Sequence, residues 1–337
     1  MGQYPVFRLD DSLFPGGRRN SVRDIFHIAS FLSRELSSLG DPDAFVIGTT
    51  SGTALHFLEG YRAIQQGQAS LPEDLADYFT SSLAFLSVPG PGIVLSNTCT
   101  SGADALALAA DMIQSGSASC VLCGGVDTVG SVPHAGFSRL LVMARDAAKP
   151  FDRNRKGLSL GEAGALLLLE EEGHARKRGA TILARLAGYA QFSDAYHCTA
   201  PHPDGRGLYR AVREALAMAC VSAEAVAFVH AHGTATNEND RVEGMVLRSL
   251  LPNVPVWGSK GGTGHTLGAS GALSAIGSIA ALNAGFVPET PGFENLDEAI
   301  GFAPTTQALP ISKDYALTTS LGFGGGNTAL VFARGEL

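Results

Sequence analysis

Residues 264–282 consist almost wholly of glycine, alanine, serine, leucine and isoleucine. Such a run reads as a helix, and a helix with no polar face has to be covered on every side. A second run of the same kind, residues 103–110, begins shortly after Cys99. Both helices are covered if they lie back to back between two sheets. Each is led by a reactive side chain, Cys99 in one and His265 in the other. The pattern predicts that these two side chains meet at the N-terminal ends of a buried helix pair.

The rest of the chain supplies the sheets. Apolar runs at 44–47, 93–96, 120–126, 165–169 and 182–188 read as strands, and those at 225–230, 255–259, 316–320 and 328–332 repeat the pattern. Helices are expected over 21–39, 71–87, 102–114, 170–179 and 207–219, while 139–160 reads as irregular and charged. The class is α/β. A chain of 337 residues, 45% hydrophobic, can fill one large core or two intimately packed halves. The repeat favours two halves, 1–180 and 181–337.

Several classes of function are disfavoured. A formal net charge of −8 argues against a general nucleic-acid binder, although a local basic patch can still meet an acidic partner. Five irregularly spaced cysteines make no disulfide framework. Cys120 and Cys123 form a C-x-x-C inside what reads as a buried strand, with no second ligand pair, so no metal site is expected. No signal segment and no membrane-length apolar run is read, which makes the cytosol the expected compartment.

Three motifs bear chemistry. Cys99 stands where an apolar run ends in a small-residue turn before a helix, a position that favours the thiolate through the helix dipole. A small buried cysteine under a helix is the plainer reading. His232 follows a strand in His232-Gly233-Thr234, and His265 follows glycines in Gly261-Gly262-Thr263-Gly264 that let backbone approach a ligand. Either histidine alone is more often a satisfied polar residue than a catalyst. One cysteine with two turn-borne histidines is far more specific. The Gly322–Gly326 run lacks the strand–loop–helix context of a nucleotide site. The basic residues Arg139, Arg145, Lys149, Arg153, Arg155 and Lys156 read as a solvated loop or as the face that meets an acidic carrier.

At these motifs the chain resembles the β-ketoacyl-acyl-carrier-protein synthases of the thiolase-like superfamily, the elongating Cys-His-His condensing enzymes. The resemblance runs from about residue 20 to 337. It includes Asn97-Thr98-Cys99-Thr100-Ser101-Gly102, Lys149-Pro150-Phe151-Asp152, Gly161-Glu162-Ala163-Gly164-Ala165 and Ser193-Asp194-Ala195-Tyr196-His197. It continues through Pro203-Asp204-Gly205, both histidine motifs and Gly322-Phe323-Gly324-Gly325-Gly326-Asn327. The resemblance implies a five-layer αβαβα sandwich of two pseudo-repeated halves. It implies decarboxylative condensation of an acyl chain with malonyl-acyl carrier protein, in fatty-acid or polyketide-type synthesis.

On that resemblance Cys99 is the nucleophile, and His232 and His265 assist decarboxylation by stabilising the enolate oxygen, at roughly 3 kcal/mol each. The N–H groups of Cys99 and Phe323 form the oxyanion hole. Phe323 is also a gate, Thr234 and Thr236 hold the pantetheine arm, and Lys260 and Glu243 form a charged pair behind the histidines. His197 is placed at the tunnel mouth. No cofactor is implied beyond the phosphopantetheine of the carrier protein. The implied partners are acyl carrier protein and a second copy in a homodimer, with the strand 120–126 at the two-fold interface, or another ketosynthase-like chain in a heterodimer.

The chain departs from the family at its start, where Val6-Phe7 and Leu13-Phe14 are the only hints of the usual opening strand, so a strand of one core sheet is expected to be missing or altered. Gly326 replaces the usual Thr and Leu321 the usual Phe. Two other functions compete. A non-catalytic or chain-length-determining partner subunit fits the altered start but not the retained cysteine. An acyltransferase without condensation fits the cysteine but not both histidines.

Overall fold

The computed structural model describes residues 6–7, 41–50, 52, 61, 64–67, 88 and 90–335. The helices expected over 21–39 and 71–87 lie outside the described residues, as does Leu13-Phe14. In chain order the first half holds β1 (Val6–Phe7), β2 (Ala44–Gly48), β3 (Gly92–Leu95), α1 (Ser101–Gln114), β4 (Cys120–Asp127), α2 (Ser131–Arg139), β5 (Leu160–Gly161), β6 (Ala163–Glu170) and α3 (Glu172–Lys177). Its main sheet runs β3-β2-β4-β6, parallel except for β6. The second half holds β7 (Ala184–Ser193), α4 (Arg206–Met218), β8 (Val226–His230), α5 (Asn237–Leu250), β9 (Val256–Trp257), α6 (Lys260–Thr263) and α7 (Ser270–Ala284). It closes with β10 (Phe286–Val287), β11 (Leu309–Pro310), β12 (Tyr315–Leu321) and β13 (Gly326–Arg334). Its sheet runs β7-β13-β12-β8-β9.

The two sheets are the same design. β2, β3, β4 and β6 correspond in order and direction to β8, β9, β12 and β13. Among the described residues β7 has no counterpart beside β6. Val6–Phe7 instead pairs in parallel with Leu160–Gly161. The rest of the opening, residues 8–40, lies outside the described residues.

Strands β8, β12 and β13 of the second sheet are buried on both faces, which is why they read as unbroken apolar runs. Phe228, Ala316, Leu330 and Phe332 face the core between the sheets. Their neighbours Val229, Leu317 and Val331 face the outer core. There they meet Leu208, Ala211, Val212 and Ala215, the apolar stripe of the amphipathic helix α4.

Between the sheets lie α1 and α7, back to back as the small-residue runs predict. Backbones touch here. A Cβ on Gly102 would stand 2.6 Å from the Gly268 carbonyl oxygen, and one on Gly271 2.5 Å from the Ala103 nitrogen. The second helix is shorter than the run suggests. Residues 260–263 form a separate turn of helix, His265 lies in the break, and α7 proper begins at Ser270 after a 3-10 turn, Leu267–Ala269. By length and composition Leu267–Ala284 would suffice to cross a membrane, contrary to the sequence expectation, but it packs between the two sheets.

Residues 131–139 form helix α2. One further expectation is corrected. The strand placed at a two-fold interface, β4, is flanked by β2 and β6 and buried along its whole length, so it presents no edge to a second copy. Cys120 and Cys123 lie within it as buried free thiols, both pushed up to about 12, in each case chiefly by burial.

Candidate active site

The site forms where the two halves offer equivalent turns. Thr98–Thr100 is a 3-10 turn that runs into α1, as Leu267–Ala269 runs into α7. Thr98 (φ 52°) and Leu267 (φ 52°) both take the left-handed conformation, which costs a non-glycine residue about 1–2 kcal/mol. Strain held at the same step of each half sets Cys99 and His265 in place. Asp127 at the end of β4 ties the Leu267–Ala269 turn to the segment after β2. Its carboxylate accepts from the N–H groups of Thr50 (2.6 Å) and Gly268 (2.7 Å) and from the Thr49 hydroxyl (3.2 Å).

Cys99, His232 and His265 line one cavity of about 250 Å³, with Thr234, Thr236 and Phe323. The two imidazole rings meet edge to face at 5.2 Å. All three side chains are buried. The thiolate expected of Cys99 is not favoured here: burial pushes the thiol up to about 11, against a backbone hydrogen bond from Phe323 and the charge of Lys260. Burial likewise holds His232 and His265 well below the usual histidine range, with the Lys260 charge adding to it, so both rings are neutral.

Their hydrogen bonds assign the tautomers. The Leu267 N–H donates to His265 Nδ1 (3.1 Å), and Ser270 Oγ is 3.0 Å from the same nitrogen. The Lys260 ammonium approaches His232 Nδ1 at 3.4 Å. A nitrogen that accepts carries no proton, so each neutral ring bears its hydrogen on Nε2. Two neutral Nε2–H donors on one cavity suit an oxygen that is gaining negative charge.

Lys260 and Glu243 do not meet as a direct ion pair; each holds His232 instead. Lys260 Nζ donates to the His232 carbonyl (2.5 Å). Glu243 accepts from the N–H groups of His232 (2.7 Å) and Gly233 (2.8 Å) and from the Thr319 hydroxyl (2.6 Å). Burial lowers Lys260 to about 8 and raises Glu243. Phe151 packs under the turn, so closely that a Cβ on Gly233 would lie 3.0 Å from its ring. Its N–H donates to Asp240 (2.7 Å), which also accepts from Ala235 N–H (3.1 Å). Asp240 and Asp127 escaped sequence reasoning. The acidic first turn of α5, with Glu238 and Asp240, was an available signal for the former.

On the other wall Thr98 Oγ1 donates to the Phe323 carbonyl (2.8 Å), and the Phe323 ring lies 5.5 Å from Phe137. Gly324 and Gly325 both adopt positive φ, 87° and 86°, which only glycine takes readily. Thr234 and Thr236 share a hydrogen bond (2.9 Å). His197, placed at the tunnel mouth from sequence, does not line the cavity; Thr199, Ala200 and Pro201 do. Of the basic cluster, Lys149 pairs with Glu294 (2.8 Å) and Arg155 with Asp297 (2.5 Å). Arg139, Arg145, Arg153 and Lys156 are exposed, and Lys156 lines the cavity.

Comparison with known proteins matches residues 40–175 to the N-terminal domain of β-ketoacyl synthase and residues 183–294 to its C-terminal domain. The chain belongs to the β-ketoacyl synthase family. A 3-oxoacyl-[acyl-carrier-protein] synthase 2 of Synechocystis sp. is 37% identical over 262 residues, covering 74% of this chain and 63% of that relative. This ketosynthase-family chain thus spans less than two thirds of the relative's length. Among solved structures, a β-ketoacyl synthase from Burkholderia phymatum superposes with a TM-score of 0.83 at 29% identity, covering 92% of this chain and 82% of that one. A type II polyketide ketosynthase solved with its acyl-carrier protein superposes at 0.86 with 25% identity, covering 98% and 88%. The thiolase-like ketosynthase fold is common to all.

Proposed function

We propose that this chain condenses an acyl group, held as a thioester on Cys99, with a malonyl group on acyl carrier protein. The observation that carries this is that His232 and His265 share one cavity with Cys99, each with a donor at its Nδ1. In the first step Cys99 Sγ attacks the carrier thioester carbonyl, the carrier sulfur leaves, and the thiol proton goes to it. In the second the malonyl carboxylate leaves as CO₂, and its bonding pair becomes an enolate whose oxygen the two histidines hold. In the third the enolate carbon attacks the acyl-Cys99 carbonyl and expels the thiolate. The N–H groups of Cys99 and Phe323 receive the carbonyl oxygen, and Thr234 and Thr236 hold the pantetheine arm. Donors at such positions contribute roughly 3 kcal/mol each.

The thioester itself accepts the electron pair, so the reaction calls for no cofactor and no metal beyond the pantetheine that the substrate brings. Arg139, Arg145, Arg153 and Lys156 provide an exposed basic face for an acidic carrier. Two pseudo-repeated halves, 1–180 and 181–337, each contribute one part of the site. A second copy in a homodimer is the other proposed partner. All five cysteines are free, which suits the cytosol.

The test is intact mass after mixing the protein with an acyl-carrier thioester, beside Cys99→Ala. Acyl mass on the wild type only, followed by a β-ketoacyl carrier two carbons longer once malonyl carrier is added, is the expected result. Acyl transfer without CO₂ release would leave an acyltransferase. A folded wild type that takes no acyl group would leave a non-catalytic partner subunit. Light scattering at micromolar concentration tests the dimer, and a monomeric mass refutes it.

A further inference from the structure

The Cys99 cavity has a buried end and an exposed end. Cys99, His232 and His265 are buried, whereas Leu141, Lys156, Asn237 and Glu238, which line the same cavity, are exposed and mark its mouth. Among the described residues that line it, Lys156 is the one lysine or arginine. No carboxylate pairs with Lys156 among the described residues, whereas nearby Lys149 and Arg155 pair with Glu294 and Asp297. Glu238, the acid at the mouth, is paired with Arg241 (2.8 Å).

The residues on either side of Lys156 are pinned to the segment that carries Thr234 and Thr236. The Gly157 N–H donates to the Ala235 carbonyl (3.0 Å), and the buried Arg155 donates from Nη2 to the Asn237 carbonyl (3.4 Å). Gly157 also lies against the Val142 carbonyl, which leaves no room for a Cβ, and the Leu158 N–H donates to that carbonyl (2.8 Å). The residues that precede this contact pair are Lys156 on one side and Leu141 on the other. Leu141 is 83% exposed and held at φ 57°, a conformation that leucine rarely takes. A free ammonium and a bare leucine are therefore set on one stretch of rim, next to the two threonines. Strain kept at a cavity mouth points to a use for the side chain it displays.

We propose that Lys156 and Leu141 read the outer end of the carrier's phosphopantetheine arm. The Lys156 ammonium holds the phosphate, and Leu141 covers the two methyl groups on the carbon beside it. The proposal rests on the reading of Cys99 as acyl acceptor and of Thr234 and Thr236 as holders of the arm. With the thioester at Cys99 and the arm along the threonines, its phosphate and methyl end lies toward the mouth. There a cation and an apolar surface match that end in order.

The experiment dispenses with the carrier's own surface. It compares initial rates of Cys99 loading, by intact mass, from acetyl thioesters of phosphopantetheine, pantetheine and N-acetylcysteamine, the last lacking both phosphate and methyl pair. The wild type should load from phosphopantetheine about three- to fivefold faster than from pantetheine, as an exposed ion pair supplies. That advantage should shrink as salt is raised. Lys156→Met should bring the ratio close to one, and Lys156→Arg should keep it. Leu141→Asn, a residue type that accepts the left-handed backbone, should slow both pantetheine forms relative to N-acetylcysteamine by about threefold, on the order of one buried methylene. Equal rates from phosphopantetheine and pantetheine in the wild type overturn the proposal, as does a ratio that Lys156→Met leaves in place. If Lys156→Met slows loading from acetyl carrier while the phosphopantetheine ratio holds, Lys156 meets carrier side chains instead, and the proposal fails. N-acetylcysteamine keeps the two levels apart. No loading from it on folded wild type refutes Cys99 as acceptor, whereas loading without phosphate preference refutes only the phosphate site.

Discussion

Replacing Glu243 by Gln tests how the His232 turn is held. The carboxylate receives two backbone N–H groups and the Thr319 hydroxyl, and Asn239 Nδ2 adds a fourth donor at 3.3 Å. Every neighbour that bonds it donates, which calls for the ionised form although burial raises its pKa. Glutamine keeps the shape but turns one oxygen into an NH₂ facing a donor. At least one hydrogen bond to a charged group is lost, at about 1.5–3 kcal/mol, and one buried N–H is orphaned at about 1–3 kcal/mol more. The sum, about 2.5–6 kcal/mol, corresponds to a fall of roughly 10 °C in Tm for a chain of this size. Because the strain falls on the residue that carries a catalytic donor, CO₂ release from malonyl carrier should drop about 100-fold. Loading of Cys99, which sits on another turn, should fall much less. Thermal unfolding, CO₂ release and intact-mass loading are the assays. An unchanged Tm together with unchanged CO₂ release would mean that Glu243 is a neutral carboxyl, and the reasoning fails.

Other outcomes follow from the same structure. With the Cys99 thiol pushed up to about 11 by burial, its alkylation by iodoacetamide, read at that residue by peptide mass, should still be rising steeply at pH 10; levelling off by about pH 10 would mean an unshifted thiol. Gly102→Val should destabilise the protein by about 3 kcal/mol or prevent folding, since even a Cβ would stand 2.6 Å from the Gly268 carbonyl; an unchanged melting curve contradicts the helix contact. Lys260 is lowered to about 8 from the ordinary lysine value of 10.5, so the unfolded chain binds more protons between those values and this group makes stability rise across that window. Lys260→Met should remove that rise in denaturation curves taken from pH 8 to 10.

The parts of the fold that repeat were legible because each repeat imposes a pattern. Two helices of small residues needed cover on all sides, and their leading residues, Cys99 and His265, meet as that requires. Apolar runs such as 316–320 and 328–332 showed strands because both faces of the second sheet are buried. The helix start at Ser270 was not legible, since Gly264 to Ala269 has the same composition as the helix and only backbone geometry separates them. The thiolate at Cys99 was inferred from one favourable field, the helix terminus, while the cost of burial depends on what packs above it. The roles of Lys260 and Glu243 as separate clamps on His232, and of Asp127, depend on contacts across 10 to 141 residues of chain that no local pattern shows.

The central claim is that two neutral imidazoles point Nε2–H donors at the site. Nitrogen-15 NMR of histidine-labelled protein reads ring charge and tautomer directly, with His232→Ala and His265→Ala assigning the signals. The account predicts both rings neutral, protonated on Nε2 and bare at Nδ1, throughout pH 6 to 8. A proton on Nδ1 of either ring, or an imidazolium at pH 7, would contradict it.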